Sequence, residues 1–269
     1  FIQDRNIKNT EVINCDYADL AKIKQIIKSC RYVVHLVGII KETSINSFDY
    51  VHKEITQALI NFMKGSQVEK ICYLSILGAK KDSSNHCLAS RAYSEKLLLD
   101  SGISSLILQV PMVLGEGDYA SRSLQKNALS KFSFTFRKES MEQPIYAGDV
   151  IQAIKKDINR QFSGKTTPTG VLVLAGPDTL TREDLIKKAA ETIGVKVKVF
   201  SLPLVFGNAL SWALEKLLAN PPITRAMLGV LDHDDNVDTQ QTCKQLDIRL
   251  TSLEDLLKTI MTSSGYYTY

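Results

Sequence analysis

The sequence contains no run of about 18 apolar residues, the length a helix needs to cross a bilayer. No stretch of these residues reads as a secretory signal, so none is expected. Its five cysteines (Cys15, Cys30, Cys72, Cys87, Cys243) include no C-x-x-C pair and no histidine at ligand spacing. That argues against zinc and against a disulfide framework, and fits free thiols in a reducing compartment. No block of Lys and Arg stands out and the net charge is only +4, so the electrostatic footprint of a nucleic-acid partner is missing. The run DHDD (Asp232, His233, Asp234, Asp235) invites a metal reading, but consecutive side chains cannot all face one ion, so a solvated acidic loop and no metal are expected. An initiator Met is also lacking. FIQDRN leads almost at once into a strand-like run, so a chain missing its beginning is expected.

What is present is ordinary for a globular protein: 269 residues, 44% hydrophobic and 23% charged, enough for one large or two modest domains. Apolar runs alternate with helical stripes. EVINCD (11–16), YVVHLVGII (32–40), KICYLSILG (70–78) and SSLILQVPMVLG (104–115) read as strands; 17–29, 48–66 and 90–102 read as helices. The run 32–40 is continuous enough for a parallel strand covered on both faces. Strand and helix alternating at this spacing predict β-α-β units, hence an α/β fold with a doubly wound parallel sheet. Ligands in such sheets sit at the carboxyl ends of the strands, where Asp16, Gly38 and Ser75 fall. His35, inside its apolar run, reads as a satisfied core residue; His52, on the following helix, is a candidate for the pocket.

Residues 119–142 are polar and read as loop. Beyond them come a helix at 148–161, a strand at 167–178, a helix at 180–194 with Thr181 as N-cap and Gly194 as stop, an alternating edge strand at 195–203, and a helix at 204–222. The last carries a broad apolar surface of Phe206, Leu210, Trp212, Ala213, Leu214, Leu217 and Leu218. It reads either as core of the smaller region or as a contact with a membrane surface or membrane-protein partner over 204–219. The expected division is 1–118, continued by 148–161, as the nucleotide-type domain, and 119–147 with 162–269 as a smaller α+β region. GEGDYA (Gly115, Gly117, Ala120) has the spacing of a phosphate loop, and equally of a glycine-bearing loop at the mouth of a cleft.

Several ordered segments then carry a resemblance: NCDYAD (14–19), VVHLVG (33–38), YLSILGA (73–79), LILQVPMVLGEGD (106–118), QPIYAGDVIQAI (143–154) and NPPITRAMLGVL (220–231). Together they resemble the atypical, extended short-chain dehydrogenase/reductases, a Rossmann-type family, and within it the nucleotide-binding accessory subunit of respiratory complex I and its bacterial relatives. The resemblance implies NADP or NAD as cofactor, with NADPH favoured. It places Asp16 at the adenine, Tyr17 beside the ring, Val37 and Gly38 at the ribose, and Ser75 and Pro111 at the nicotinamide end. It also implies a respiratory-complex or other membrane-protein partner, on the matrix side of the inner mitochondrial membrane or at the bacterial cytoplasmic face. The family's first β-α-β unit, with its G-x-x-G-x-x-G loop, does not occur in these residues. Arg5 is the one hint of NADP.

In that alignment the family's Tyr-x-x-x-Lys pair falls on Cys87 and Arg91. The enzyme's proton donor is a phenol lowered toward neutrality by an ammonium that also holds the nicotinamide ribose. A thiol of ordinary pKa about 8.5 cannot replace it. Arg91 does not deprotonate, although it can hold a ribose or phosphate. Tyr93 and Lys96 lie further along the same helix at a spacing of three, and are the candidate catalytic pair only if the chain is an active reductase or epimerase. The expectation is a non-catalytic nucleotide-binding subunit or assembly factor.

Overall fold

The apolar runs become parallel strands and the stripes between them become helices. The computed structural model describes residues 9–218, 220–230 and 232–262, and Arg5 lies outside them. The order is α1 (Leu20–Ile27), β1 (Tyr32–His35), a π-helical turn (Asp49–Glu54) leading into α2 (Ile55–Met63), β2 (Lys70–Ile76), α3 (His86–Asp100), β3 (Ser104–Val110), β4 (Val113–Leu114), α4 (Tyr119–Leu129), β5 (Phe132–Phe136), β6 (Met141–Glu142), β7 (Ile145–Tyr146), α5 (Ala147–Phe162), β8 (Gly170–Val173), β9 (Leu180–Thr181), α6 (Arg182–Thr192), β10 (Lys198–Leu202), α7 (Leu204–Leu217), α8 (Arg225–Val230), α9 (Gln240–Leu246) and α10 (Leu253–Thr262).

Among the described residues the main sheet runs β1-β2-β3-β8, every pair parallel. The strand period of two sorts its side chains. Ile71, Tyr73 and Ile107 pack with Ile23, Leu59 and Leu98 of α1, α2 and α3. Cys72, Leu106 and Leu108 pack with Val150 and Ala153 of α5 and Leu246 of α9. Both faces are therefore covered, as a doubly wound α/β sheet requires. Each fully buried aliphatic side chain contributes about 1.5–3 kcal/mol. A third core joins α4, α6, β10 and α10 through Leu124, Leu185, Val199 and Leu257, the smaller α+β region.

Four expectations are corrected. Residues 11–16 form no strand, because β1 is the edge of the sheet and no described strand lies beyond it to pair with them. The run 32–40 is a strand only to His35, and Val34 and Leu36 stand exposed, so it is not covered on both faces. Residues 119–142 are not loop: α4 starts where Asp118 accepts a hydrogen bond from Ser121 N at 2.8 Å, and its polar residues surround a narrow buried stripe. The stretch 162–269 is shared between the two regions, since Gly170–Val173 is the fourth strand of the main sheet and α9 packs against it.

Candidate functional site

The carboxyl ends of β1, β2 and β3 converge on the loop that follows His35. Asn85 caps α3 by accepting from Cys87 N at 2.9 Å and Leu88 N at 3.4 Å, and this turns Cys87 and Arg91, one helical turn apart, toward that loop. The Arg91 guanidinium donates to Tyr73 Oη at 2.8 Å and to the carbonyls of Val37 and Leu74, each at 3.3 Å. It lies directly over Gly38, where a Cβ would sit 1.5 Å from Nη2. Only glycine leaves room for this seat. No carboxylate pairs with Arg91 among the described ion pairs. Cys87 Sγ is 3.5 Å from the Ile39 carbonyl, and burial pushes its thiol up to about 11.

His52 fixes the loop from beneath. Its Nε2 accepts the Ile39 N–H at 3.1 Å, and its Nδ1 is 2.7 Å from Ser90 Oγ, which itself donates to Cys87 O at 2.9 Å. The proton therefore sits on Nδ1, and burial and then Arg91 hold the ring's pKa down at about 3. His52 is a strut of the loop that follows β1. His35 is core but not satisfied: neither ring nitrogen has a partner among the described residues, and the ring stacks on Tyr73 at 5.2 Å.

Val37, Gly38 and Arg91 are thus brought together, with Tyr73 as a member that pattern reading missed. Ser75 is at the strand end, but its hydroxyl donates to Glu95, whose two oxygens also accept from Gln109 Nε2 at 3.0 and 2.9 Å. Burial raises the Glu95 pKa, against the pull of Ser75 and Gln109. Asp16 is exposed and accepts from Ala18 N at 2.9 Å, while half-buried Tyr17 packs beside the α1–α2 core. Tyr93 and Lys96 are not brought together. The Lys53 ammonium sits 5.1 Å above the Tyr93 ring, and Lys96 pairs with Asp100 at 2.5 Å.

Pro111, just past β3, lines a cavity of about 470 Å3 between the strand ends and the smaller region. Its walls include Ile76, Met112, Phe136, Leu185 and Met227; Glu142, Arg182, His233 and Asp235 are its carboxylate, guanidinium and imidazole groups, and Ser123, Asn127 and Thr135 add neutral polar ones. Arg182 Nε donates to Glu142 at 2.6 Å. His233 Nε2 is 2.9 Å from Asp235 Oδ1, and it packs against Gly78 at the end of β2. The DHDD run is therefore not a solvated loop: Asp235 is buried, Asp234 accepts from Ser140 Oγ at 3.1 Å and Met141 N at 3.0 Å, and Asp232 pairs with Arg137 at 2.7 Å. The residues before it close the crevice. Lys41 donates to Asn220 at 2.6 Å, and Asn85 donates to Ala226 O at 2.9 Å. GEGDYA is a self-capped turn at the cavity mouth: Asp118 accepts from the Gly115 amide and from the Ser121 amide that follows the motif, so these two donors are already taken.

No family model matches the chain. It is 22% identical over 219 residues to the ceramide reductase of Caulobacter vibrioides, covering 79% of this chain and 67% of that protein. It is 26% identical over 143 residues to the mouse mitochondrial NADH dehydrogenase [ubiquinone] 1 alpha subcomplex subunit 9, covering 52% of this chain but only 37% of that protein. The Bordetella bronchiseptica enzyme WbmG, solved in complex with NAD and UDP, superposes with a TM-score of 0.70 at 10% identity, over 96% of this chain and 81% of that one. The strand order, the two covered sheet faces and these likenesses agree: the chain has a Rossmann-type α/β fold, shared with NAD-binding enzymes such as WbmG.

Proposed function

We propose that the chain binds NADP or NAD in a structural role, as a non-catalytic subunit or assembly factor similar to the complex I accessory subunit. The observation that carries this is the pair Cys87 and Arg91. It occupies the helical face turned toward Gly38 with a thiol that burial pushes up to about 11 and a permanent cation, so neither member of the pair is suited to pass a proton near neutral pH. The same residues suit a nucleotide: Arg91, seated over Gly38 and without a carboxylate partner among the described ion pairs, offers ribose or phosphate oxygens the N–H donors that Tyr73, Val37 and Leu74 leave over. Val37 and the ends of β2 and β3, with Ser75 and Pro111, would flank the ligand. Bound nucleotide would stabilise the fold by about 2.7 kcal/mol at 100 times its dissociation constant. The work site is the matrix face of the inner mitochondrial membrane or the bacterial cytoplasmic face, with a membrane-protein partner or the bilayer surface met through 204–219. No helix among the described residues is long and apolar enough to cross a membrane.

Calorimetric titration with NADPH and NADH, on the full-length protein, tests binding. Arg91→Met should weaken it about tenfold or more, the scale of a lost charge-assisted hydrogen bond. Turnover of NADPH with a ketone, quinone or sugar nucleotide would overturn the non-catalytic part.

An active reductase or epimerase is the second reading, favoured by His233 and Asp235 in the cavity and by the likeness to a ceramide reductase. Loss of rate in Tyr93→Phe would assign the proton to the helix face; loss in His233→Gln alone would assign it to the cavity.

A further inference from the structure

We propose that the 470 Å3 cavity takes an electrically neutral, mainly aliphatic molecule with a hydroxyl or amide head group, and not a nucleoside diphosphate. The inference deepens the proposed function and rests on its reading of the strand-end crevice as a ligand cleft. Ile76, Leu77, Met112, Leu185, Ile186 and Met227 give the cavity aliphatic walls, and methionine adapts readily to chains of varied shape.

The charges at its polar end exclude an anion. Arg182 is the only Lys or Arg side chain in the lining, and it is already engaged by Glu142 and by the Phe136 carbonyl. Asp235 adds a second buried carboxylate with His233 as its ion partner. A diphosphate brings two negative charges to a pocket whose fixed charges are neutral or negative in sum, and finds no uncommitted cation there. Carboxylate oxygens accept hydrogen bonds, so the complementary head group donates them, as hydroxyls and amide N–H groups do. Strand β5 supports an apolar route inward. Thr135 and Phe136 line the cavity, while Phe132 and Phe134 on the same strand stand exposed beside Phe200.

The test titrates the full chain with a fluorescent long-chain N-acyl amide, with and without NADPH, and separately with UDP-N-acetylglucosamine. Saturable amide binding, displaced by an unlabelled long-chain alcohol, with no heat from the sugar nucleotide, is expected. Ala120→Trp fills the mouth and should lower amide affinity about tenfold or more without shifting the melting temperature. Ser123→Phe serves the same purpose should the first variant not fold. Binding of the sugar nucleotide but not the amide overturns the inference, as does amide binding that both filling variants leave intact. Failure of NADPH to bind while the amide binds overturns the nucleotide reading and leaves this one standing. NADPH binding with no amide binding does the reverse.

Discussion

His35 is a buried imidazole whose two nitrogens find no partner among the described residues, stacked on Tyr73 and facing the Arg91 cation. Burial and then Arg91 lower its pKa to about 4, and the same causes lower His52 to about 3. Unfolded, both titrate near about 6.5. As pH falls below that value the unfolded chain takes up protons that the folded chain refuses. The stability these rings permit is therefore complete above about pH 6.5 and is lost toward pH 4, at about 1.4 kcal/mol per pH unit per ring. His35→Phe keeps the stacked ring and deletes the unpaired nitrogens. Urea unfolding between pH 7 and 4.5 should show the variant equal or better at pH 7, with one proton less in the slope. An unchanged slope would mean that His35 is not held neutral. Lys70 and Asp157 make a different wager at the amino end of β2. Both side chains are fully buried, 2.9 Å apart, and the remaining groups are met by Tyr32 Oη and by Pro168 O at 2.7 Å. Lys70→Met or Asp157→Ala alone should cost about 3–5 kcal/mol, because each leaves a lone buried charge. The double variant Lys70→Met/Asp157→Leu should cost less than either single change in the same unfolding assay.

At the scale of elements, legibility followed the strength of the period. Strands β2 and β3 and helices α2, α5 and α6 were readable because each has a clear apolar face or run, and Thr181 caps α6 as expected, accepting from Asp184 N at 3.0 Å. α4 was hidden by its composition, SRSLQKN, in which a small buried stripe is outnumbered by polar residues. α3 begins at His86, ahead of the apolar pattern, because Asn85 supplies the cap. The family segments pointed to Gly38 and Arg91 separately, as ribose-side candidates; that the guanidinium lies over the glycine shows only in the folded chain. The cavity's polar end was not legible, because Glu142 of β6, Arg182 of α6 and His233 of the segment between α8 and α9 meet only through tertiary packing. Asn85 shows how one residue joins two elements: its Oδ1 caps α3 and its Nδ2 holds α8 through Ala226 O. Asn85→Ala should cost about 1 kcal/mol for the cap and speed amide exchange in both α3 and α8. Asn85→Asp keeps the acceptor and loses the donor, so it should protect the Cys87 and Leu88 amides while 225–230 exchanges faster. Equal exchange of both segments in the two variants would separate α8 from this bond.

At the scale of the whole molecule, one surface is out of character for a globular protein. Within α7 only Gly207 and Ser211 are buried, so it is not a core helix; Phe206 is 71% and Leu217 79% exposed. Its Gly207 sits against Phe136, where a Cβ would lie 2.6 Å from the ring, which fixes α7 beside β5. β5 and its partner β10 add exposed Phe132, Phe134 and Phe200, with ring centroids 5.4 Å apart between Phe134 and Phe200. Contiguous apolar exposure of this kind marks an interaction face. Cations lie beside it: Lys131 is 5.7 Å from the Phe132 ring and Lys216 is 4.8 Å from the Trp212 ring. Aromatic rings that enter the headgroup layer, with ammonium groups at its edge, fit an anionic bilayer surface. The protein should therefore sediment with vesicles containing phosphatidylglycerol or cardiolipin and less with purely zwitterionic ones, and added salt should weaken the first. Phe134→Ser combined with Phe206→Ser, both exposed and so of little consequence to folding, should abolish sedimentation at an unchanged melting temperature. If the parent protein ignores anionic vesicles altogether, the face belongs to a protein partner, and the same double variant should then break that complex instead.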